Sequence, residues 1–73
     1  MKYPIGTILK ATALTEVYIK IEGYNINNNV YKISYLDISN KKYHKQYFIQ
    51  SEIELYFEVI NQTEAELIVL KML

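Results

Sequence analysis

Two segments of this sequence alternate between apolar and polar residues, and this pattern limits the available folds more than any other feature. The segments are Val17–Glu22 and Glu52–Val59. A repeat of two that is rich in β-branched residues is typical of a strand with one buried face. We therefore expect two half-buried strands, and an early turn at residues 51–54 leaves this division unchanged. The residues expected to face the core are Val17, Ile19, Ile21, Ile53, Leu55, Phe57 and Val59.

Three further segments have the composition of strands. They are residues 7–11, Tyr31–Tyr35 and Tyr43–Ile49, of which the last is the least regular. Tyr31 and Tyr35 share a face with an isoleucine and are assigned to the core or its rim. The polar connections at residues 25–29 and 39–42 contain asparagine, which tolerates left-handed backbone angles in turns.

The last part of the chain, residues 63–73, changes in character. Thr63 and Glu66 have the spacing of a helix capping box, and good helix formers follow them. We predict a short C-terminal helix. A sixth strand over residues 67–70 is the alternative that the sequence leaves open.

The chain is short enough that residues 1–73 form one domain. Five short strands at spacings near ten residues predict a mostly-β fold, either a small barrel or a sandwich. The segments "PIGTILKA", "VYIKIEGY", "YKISYLD" and "SEIELYF" together resemble SH3-like barrels, the class that includes Tudor and KOW modules. The resemblance implies a five-stranded barrel over residues 4–60. Signalling SH3 domains carry an Ala-Leu-Tyr-Asp-Tyr run and a tryptophan pair, which are missing here, so no functional residues are carried over.

Composition excludes several kinds of site. The chain has no cysteine, which rules out disulfides and thiolate metal sites, and its one histidine rules out a histidine-rich metal site within a single chain. We therefore expect no metal and no cofactor. Small domains often gain stability by oligomerisation, so a second copy of the chain is a natural partner.

The charge and hydropathy of the chain bear on its partners and location. Eight lysines balance eight acidic residues, whereas dedicated nucleic-acid binders usually carry a basic excess. No segment has the pattern of a secretion signal or the roughly 18 apolar residues that cross a bilayer. We expect a cytoplasmic protein without a membrane partner.

His44 is the only conventional general base near neutral pH. A triad with Asp37 and either Ser34 or Ser51 can be drawn on paper, but no nucleophile-elbow sequence supports it. An exposed histidine on an edge strand is the simpler interpretation, so we predict no catalytic residues and no enzyme.

Glu52, Glu54 and Glu58 fall on one face of the fifth strand if that segment is extended. Paired carboxylates can serve acid–base chemistry or bind a hard cation. Outward-facing acidic residues also prevent edge-to-edge aggregation of strands, and we favour that structural role.

A cluster of lysines and tyrosines near the fourth strand is the best local candidate for a nucleic-acid surface. Ammonium groups can hold phosphates while tyrosine rings stack on bases. A soluble hairpin tip with cross-strand ion pairs is the simpler interpretation. The residues of the cluster are Lys41, Lys42, Tyr43, Lys45 and Tyr47.

Exposed tyrosines and the apolar tail are the candidates for protein contact. Tyr18 and Tyr56 are predicted to lie on the polar faces of their strands, where they either bind a partner or cover lysine stems. A helix over the tail is apolar nearly all round and needs burial on more than one side. The tail residues assigned to the contact are Leu67, Leu70, Met72 and Leu73.

These observations lead to one hypothesis and one alternative. The first is a non-catalytic protein–protein interaction module with a protein partner or a second copy as a homodimer. By analogy, it could be an accessory, adaptor or inhibitor protein of a phage or mobile element. The alternative is a nucleic-acid-binding small barrel that uses the lysines and tyrosines of the fourth strand.

Overall fold

The computed structural model describes residues 2–71, which form an antiparallel sheet and two helices. The strands are β1 (Ile8–Ala11), β2 (Val17–Asn25), β3 (Val30–Asp37), β4 (Lys42–Ile49) and β5 (Phe57–Val59). The helices are α1 (Gln50–Tyr56) and α2 (Gln62–Lys71). The prediction of a mostly-β fold with five strands and a C-terminal helix is confirmed. The alternative of a sixth strand at residues 67–70 is wrong, because these residues belong to α2.

The strand order is β4-β3-β2-β1-β5, and all neighbouring pairs are antiparallel. β4 and β5 are the two edges of the sheet, so the sheet is not closed into a barrel, contrary to the prediction. The reason is local. α1 takes up most of the segment expected to form the fifth strand, and the three residues left in β5 pair only with β1.

One face of the sheet, which we call the inner face, carries most of the core. Val17, Ile19 and Ile21 of β2 are all buried there, as their alternation predicted. Tyr31 is also buried and Tyr35 is half-buried at the rim. The other buried residues of this cluster are Tyr3, Leu9, Ala11, Ile33, Ile53 and Phe57.

Tyr31 ties the start of the chain to the centre of the sheet. Its side chain is fully buried, and its hydroxyl oxygen accepts hydrogen bonds from the backbone N–H groups of Lys2 (2.8 Å) and Tyr3 (3.1 Å). The rings of Tyr3 and Tyr24 pack against it, with centroids 5.7 and 4.7 Å away. The polar tip of a core tyrosine is thereby satisfied.

The segment around Leu55 is a helix, so the strand predicted there is wrong over residues 52–56. Ile53 and Phe57 are buried, while Leu55 and Val59 are 68% and 62% exposed. Phe57 follows the last turn of α1 with an extended backbone, and its side chain joins the same core cluster as Ile53. The sequence Glu-Ile-Glu-Leu fits the strand repeat of two and also the helix repeat of 3.6 residues. Its residues are mostly good helix formers, and local hydrogen bonds stabilise the turn, so the segment is helical.

The opposite face of the sheet, which we call the outer face, is covered in part by α2. Ile8, Tyr18, Leu36 and Ile68 form a second buried cluster between the sheet and the helix. α2 begins after Asn61, whose side-chain oxygen accepts the backbone N–H of Glu64 at 2.8 Å. Asn61 therefore caps the helix, a role that the sequence analysis gave to Thr63.

Candidate functional surfaces

α2 leaves most of its apolar side chains exposed. Among its described apolar residues only Ile68 is fully buried, whereas Leu67, Val69 and Leu70 are 55%, 43% and 63% exposed. Leu67 and Leu70, two of the tail residues assigned to protein contact, are exposed on this helix, and their role in a contact stays a prediction. Met72 and Leu73, which belong to the same predicted surface, lie outside the described residues.

A groove runs between α2 and the edge of the sheet formed by β5. Its volume is about 590 Å³, and it is open to solvent along its length. Val59 and Ile60 form one wall, and Val69 and Leu70 form the other. The place of Val59 in this groove was not predicted, because the alternation of residues 52–59 assigned Val59 to the core.

Tyr18 is buried, so the prediction that it lies exposed as a partner contact is wrong. Only 6% of it is accessible, because α2 packs over it together with Ile8 and Leu36. Burial raises the pKa of the Tyr18 phenol above its ordinary value of 10.0, with smaller contributions from Glu16 and Glu64. The face of β2 that carries Lys20 and Glu22 is therefore buried at Tyr18. The alternation of the strand did not predict this burial.

Tyr56 is 57% exposed, as predicted, and lies at the end of α1. It lines a groove of about 240 Å³ together with Tyr35, Phe48 and Phe57, on the side of the inner-face core. α2 packs on the other face of the sheet. The two halves of the predicted protein-binding surface, Tyr56 and the tail, therefore do not form one continuous patch.

The lysines and tyrosines of the fourth strand separate into two groups. Tyr43, Lys45 and Tyr47 alternate along β4 and share the outer face, where Tyr43 pairs with Leu36 of β3. Lys42 pairs with Asp37 and falls on the other side of the alternation. Lys41 lies in the preceding turn with a positive φ of 53°. The structure therefore brings together three of the five residues predicted for nucleic-acid binding.

Neighbouring strands add residues to this part of the outer face that the sequence analysis did not assign. Lys32 and Ser34 of β3 lie in register with Tyr47 and Lys45, and Lys20 of β2 is in register with Ser34. We call the set Lys20, Lys32, Tyr43, Lys45 and Tyr47 the basic tyrosine face. The alternation of β2 and β3 already showed that both lysines lie on polar faces, but only the pairing register brings them beside the tyrosines.

One carboxylate lies within the basic tyrosine face. Glu22 is the extra residue where β2 bulges between Ile21 and Gly23, and its carboxylate is 2.9 Å from the Lys45 ammonium and 3.8 Å from that of Lys20. The hydrogen bond from Lys45 holds the pKa of Glu22 below its ordinary value of 4.5. Glu22 is therefore ionised at neutral pH and partly neutralises Lys45.

The neutral total charge hides an uneven distribution along the chain. Residues 30–49, which contain β3 and β4, have a single acidic residue, Asp37, against four lysines. Residues 50–71 have a single lysine, Lys71, against five glutamates. The β3–β4 segment is therefore net basic and the C-terminal segment, residues 50–71, is net acidic, which the total composition could not show.

His44 is exposed on β4, in register with Tyr35, and its ring stacks on the tyrosine ring at 4.9 Å. Its Nε2 lies 3.1 Å from the side-chain oxygen of Gln46. The Ser34 hydroxyl accepts a hydrogen bond from Lys45, and the Asp37 carboxylate accepts two from Asn40. His44, Ser34 and Asp37 thus each hydrogen-bond to a residue outside the conceivable triad.

The three glutamates once expected on a single strand face have separate positions. Glu52 accepts the backbone N–H of Ile49 at 3.0 Å and caps α1. Glu54 accepts a hydrogen bond from Gln50 and pairs with Lys2 at 3.3 Å, which keeps the pKa of this carboxyl below its ordinary value. Glu58 lies exposed on β5. The expected acidic strand face is therefore not formed.

Residues 2–71 lack two features that would indicate metal binding or membrane insertion. This part of the chain has no group of three or more histidine, cysteine, aspartate or glutamate residues placed to hold a metal ion. It also has no helix that is both long and apolar enough to span a membrane. Comparison with protein-family models, curated proteins and solved structures finds no match to this chain.

Proposed function

We propose that this chain is a non-catalytic protein-interaction module, acting as an accessory or adaptor protein, whose α2 surface docks on the same surface of a second copy. The observation that carries this proposal is the exposure of Leu67, Val69 and Leu70, three apolar residues that flank Ile68, the buried anchor of α2. Contiguous exposed apolar surface on a small domain commonly marks an interaction site. The groove beside Val59 extends this surface beyond the helix.

A second copy fits this surface because α2 can pair with itself in an antiparallel arrangement. With the two-fold axis between residues 68 and 69, Leu67 of one copy faces Leu70 of the other. Two-fold interfaces are self-complementary in this way. The near-zero total charge of the chain also limits repulsion between copies.

The size of α2 sets the strength expected of this contact. Ten residues make a helix about 15 Å long. A pair of such helices buries less than the roughly 800 Å² per partner of standard stable interfaces, even with the groove residues included. We therefore expect a dimer that dissociates in the micromolar range.

Sedimentation velocity over about 10–500 μM protein tests the proposal. The sedimentation coefficient of the unaltered chain should rise with concentration, and the double variant Leu67→Asp/Leu70→Asp should remain a monomer throughout. The matched control is Leu55→Asp, which places the same charge on an equally exposed leucine of α1. A chain that stays monomeric over the whole range rules out the second copy as the occupant.

For the architecture, we propose an open form of the SH3-like small barrel. Five antiparallel strands with short connections support this assignment, together with a short helix before the last strand. In this arrangement the opening lies between β4 and β5, where Phe48 and Phe57 approach with ring centroids 5.8 Å apart. An experimental structure tests this assignment. Backbone pairing between β4 and β5 would show a closed barrel, and unpaired edges would show that the sheet is open.

A further inference from the structure

We propose that the basic tyrosine face is a binding site for single-stranded nucleic acid, a function separate from docking through α2. The face is the part of the outer surface that α2 leaves uncovered, and it lies along the free edge of the sheet formed by β4. Three features indicate this occupant: the placement of two tyrosines, the charge of the surrounding lysines, and a depression beside Tyr43.

The two tyrosines are placed to stack on separate bases. Tyr43 and Tyr47 are 45% and 64% exposed and stand on the same face of β4, four residues apart. At about 3.3 Å per residue, their Cα atoms are roughly 13 Å apart. Exposed aromatic rings along a strand are the platform on which proteins stack unpaired bases, and every base offers a face for stacking.

The charge of the face is complementary to a phosphate chain. Lys20, Lys32 and Lys45 surround the tyrosines, and Lys32 has no ion-pair partner among the described residues. Within residues 2–71, Glu22 is the one carboxylate that contacts these lysines. Lysine acts on phosphate as a point charge without reading base edges, so we expect binding with little sequence preference.

A depression of about 330 Å³ lies at the Tyr43 end of this face and can receive a base. Leu36 and Tyr43 supply apolar wall. The polar groups that line it are those of Lys20, Glu22, Ser34, His44 and Lys45. This volume is at the small end of the range for ligand sites and suits one planar ring. Bases of a duplex are stacked internally and cannot enter such a site, so the occupant is a single strand.

The first test measures binding of a fluorescein-labelled oligothymidylate of about 15 nucleotides by anisotropy, over about 20–200 mM salt. Three lysines that neutralise phosphates give a slope of log K against log salt of about −2 for a single strand. Lys32→Ala should reduce this slope by about 0.7. The single strand should bind more tightly than a duplex of the same length. Absence of binding at 20 mM salt overturns the proposal, and so does equal affinity for the duplex.

The second test separates stacking from charge. Tyr47→Ala should weaken binding about 5- to 150-fold and leave the salt slope unchanged, because the variant removes a ring and no charge. The matched control is Tyr56→Ala, which removes an exposed tyrosine at the other edge of the sheet and should leave binding unchanged. Circular dichroism of both variants confirms that they fold. Equal losses in the two variants contradict a site at β4.

The third test is a gain of affinity. Glu22→Gln removes the carboxylate that competes with phosphate for Lys45, so binding should tighten several-fold and the salt slope should become steeper. Weaker or unchanged binding by this variant overturns the role of Lys45.

The acidic C-terminal segment of a second copy, residues 50–71, is the competing occupant of the basic tyrosine face. Sedimentation of the Lys32→Ala variant without nucleic acid tests whether a second copy binds there. Unchanged self-association supports the proposal, and a lower sedimentation coefficient assigns the face to contact between copies.

Discussion

The two faces of the sheet differ in what covers them. The inner face is sealed by side chains from all five strands, from α1 and from the start of the chain, and Tyr31 is fixed there by two backbone hydrogen bonds. The outer face has a smaller buried cluster, to which α2 contributes a single fully buried side chain, Ile68. The difference indicates that the inner face supplies most of the buried core, while part of the outer face stays exposed to solvent.

The largest expected effect tests the inner face. Ile19→Asp places an unpaired carboxylate in the fully buried core, which costs more than about 4 kcal/mol and should unfold a domain of this size. The neighbouring substitution Lys20→Asp is the control, because it changes an exposed group on the outer face and should cost about 1 kcal/mol or less. Chemical denaturation followed by circular dichroism compares the two. Similar midpoints for both variants would show that the inner face is not the stabilising core.

An intermediate effect is expected where α2 meets the outer face. Ile68→Ala removes the only fully buried apolar side chain described in α2 and should cost about 2–4 kcal/mol of local stability. Because the inner-face core does not include α2, the amides of residues 62–71 should lose hydrogen-exchange protection while those of β2 keep theirs. The control is Val69→Ala on the exposed side of the same helix. Uniform loss of protection across the sheet would contradict the division between the two faces.

The smallest effect concerns the pH dependence of Tyr18 beneath α2. Its pKa is raised in the folded chain, so the neutral phenol is favoured by folding. The corresponding stability is fully present below pH 10.0 and is lost as the pH rises through the raised value. Tyr18→Phe should cost about 1 kcal/mol or less at pH 7. It should also remove this component of the loss in alkali, as measured by denaturation between about pH 8 and 11. An unchanged alkaline slope would show that Tyr18 is accessible to solvent in the folded chain.

Local patterns accounted for much of the fold and less of the candidate sites. The alternation of β2 was sufficient to assign Val17, Ile19 and Ile21 to the core, and the composition of the tail was sufficient to predict α2. Exposure of Tyr56 was also predicted. In each case one element's own residues carry the information, because a strand or helix sorts its side chains by a fixed repeat.

Other features depended on contacts between distant parts of the chain. Tyr18 was expected to be exposed because its neighbours Lys20 and Glu22 are polar, and it is buried because α2 packs over that end of the sheet. Leu55 was expected in the core, but α1 replaces the strand and turns Leu55 outward. Lys20 and Lys32 join Tyr43 and Tyr47 only through the pairing register of three strands.

By itself, the sequence determined the number of strands, the core face of β2, the C-terminal helix and the exclusion of cysteine chemistry. The tertiary structure alone decided that the sheet stays open, that α2 covers part of the outer face, and that lysines and tyrosines from three strands share another part. The physical reason is that a repeat of two or of 3.6 residues acts within one element. Which elements become neighbours depends instead on the burial and pairing available to the whole chain.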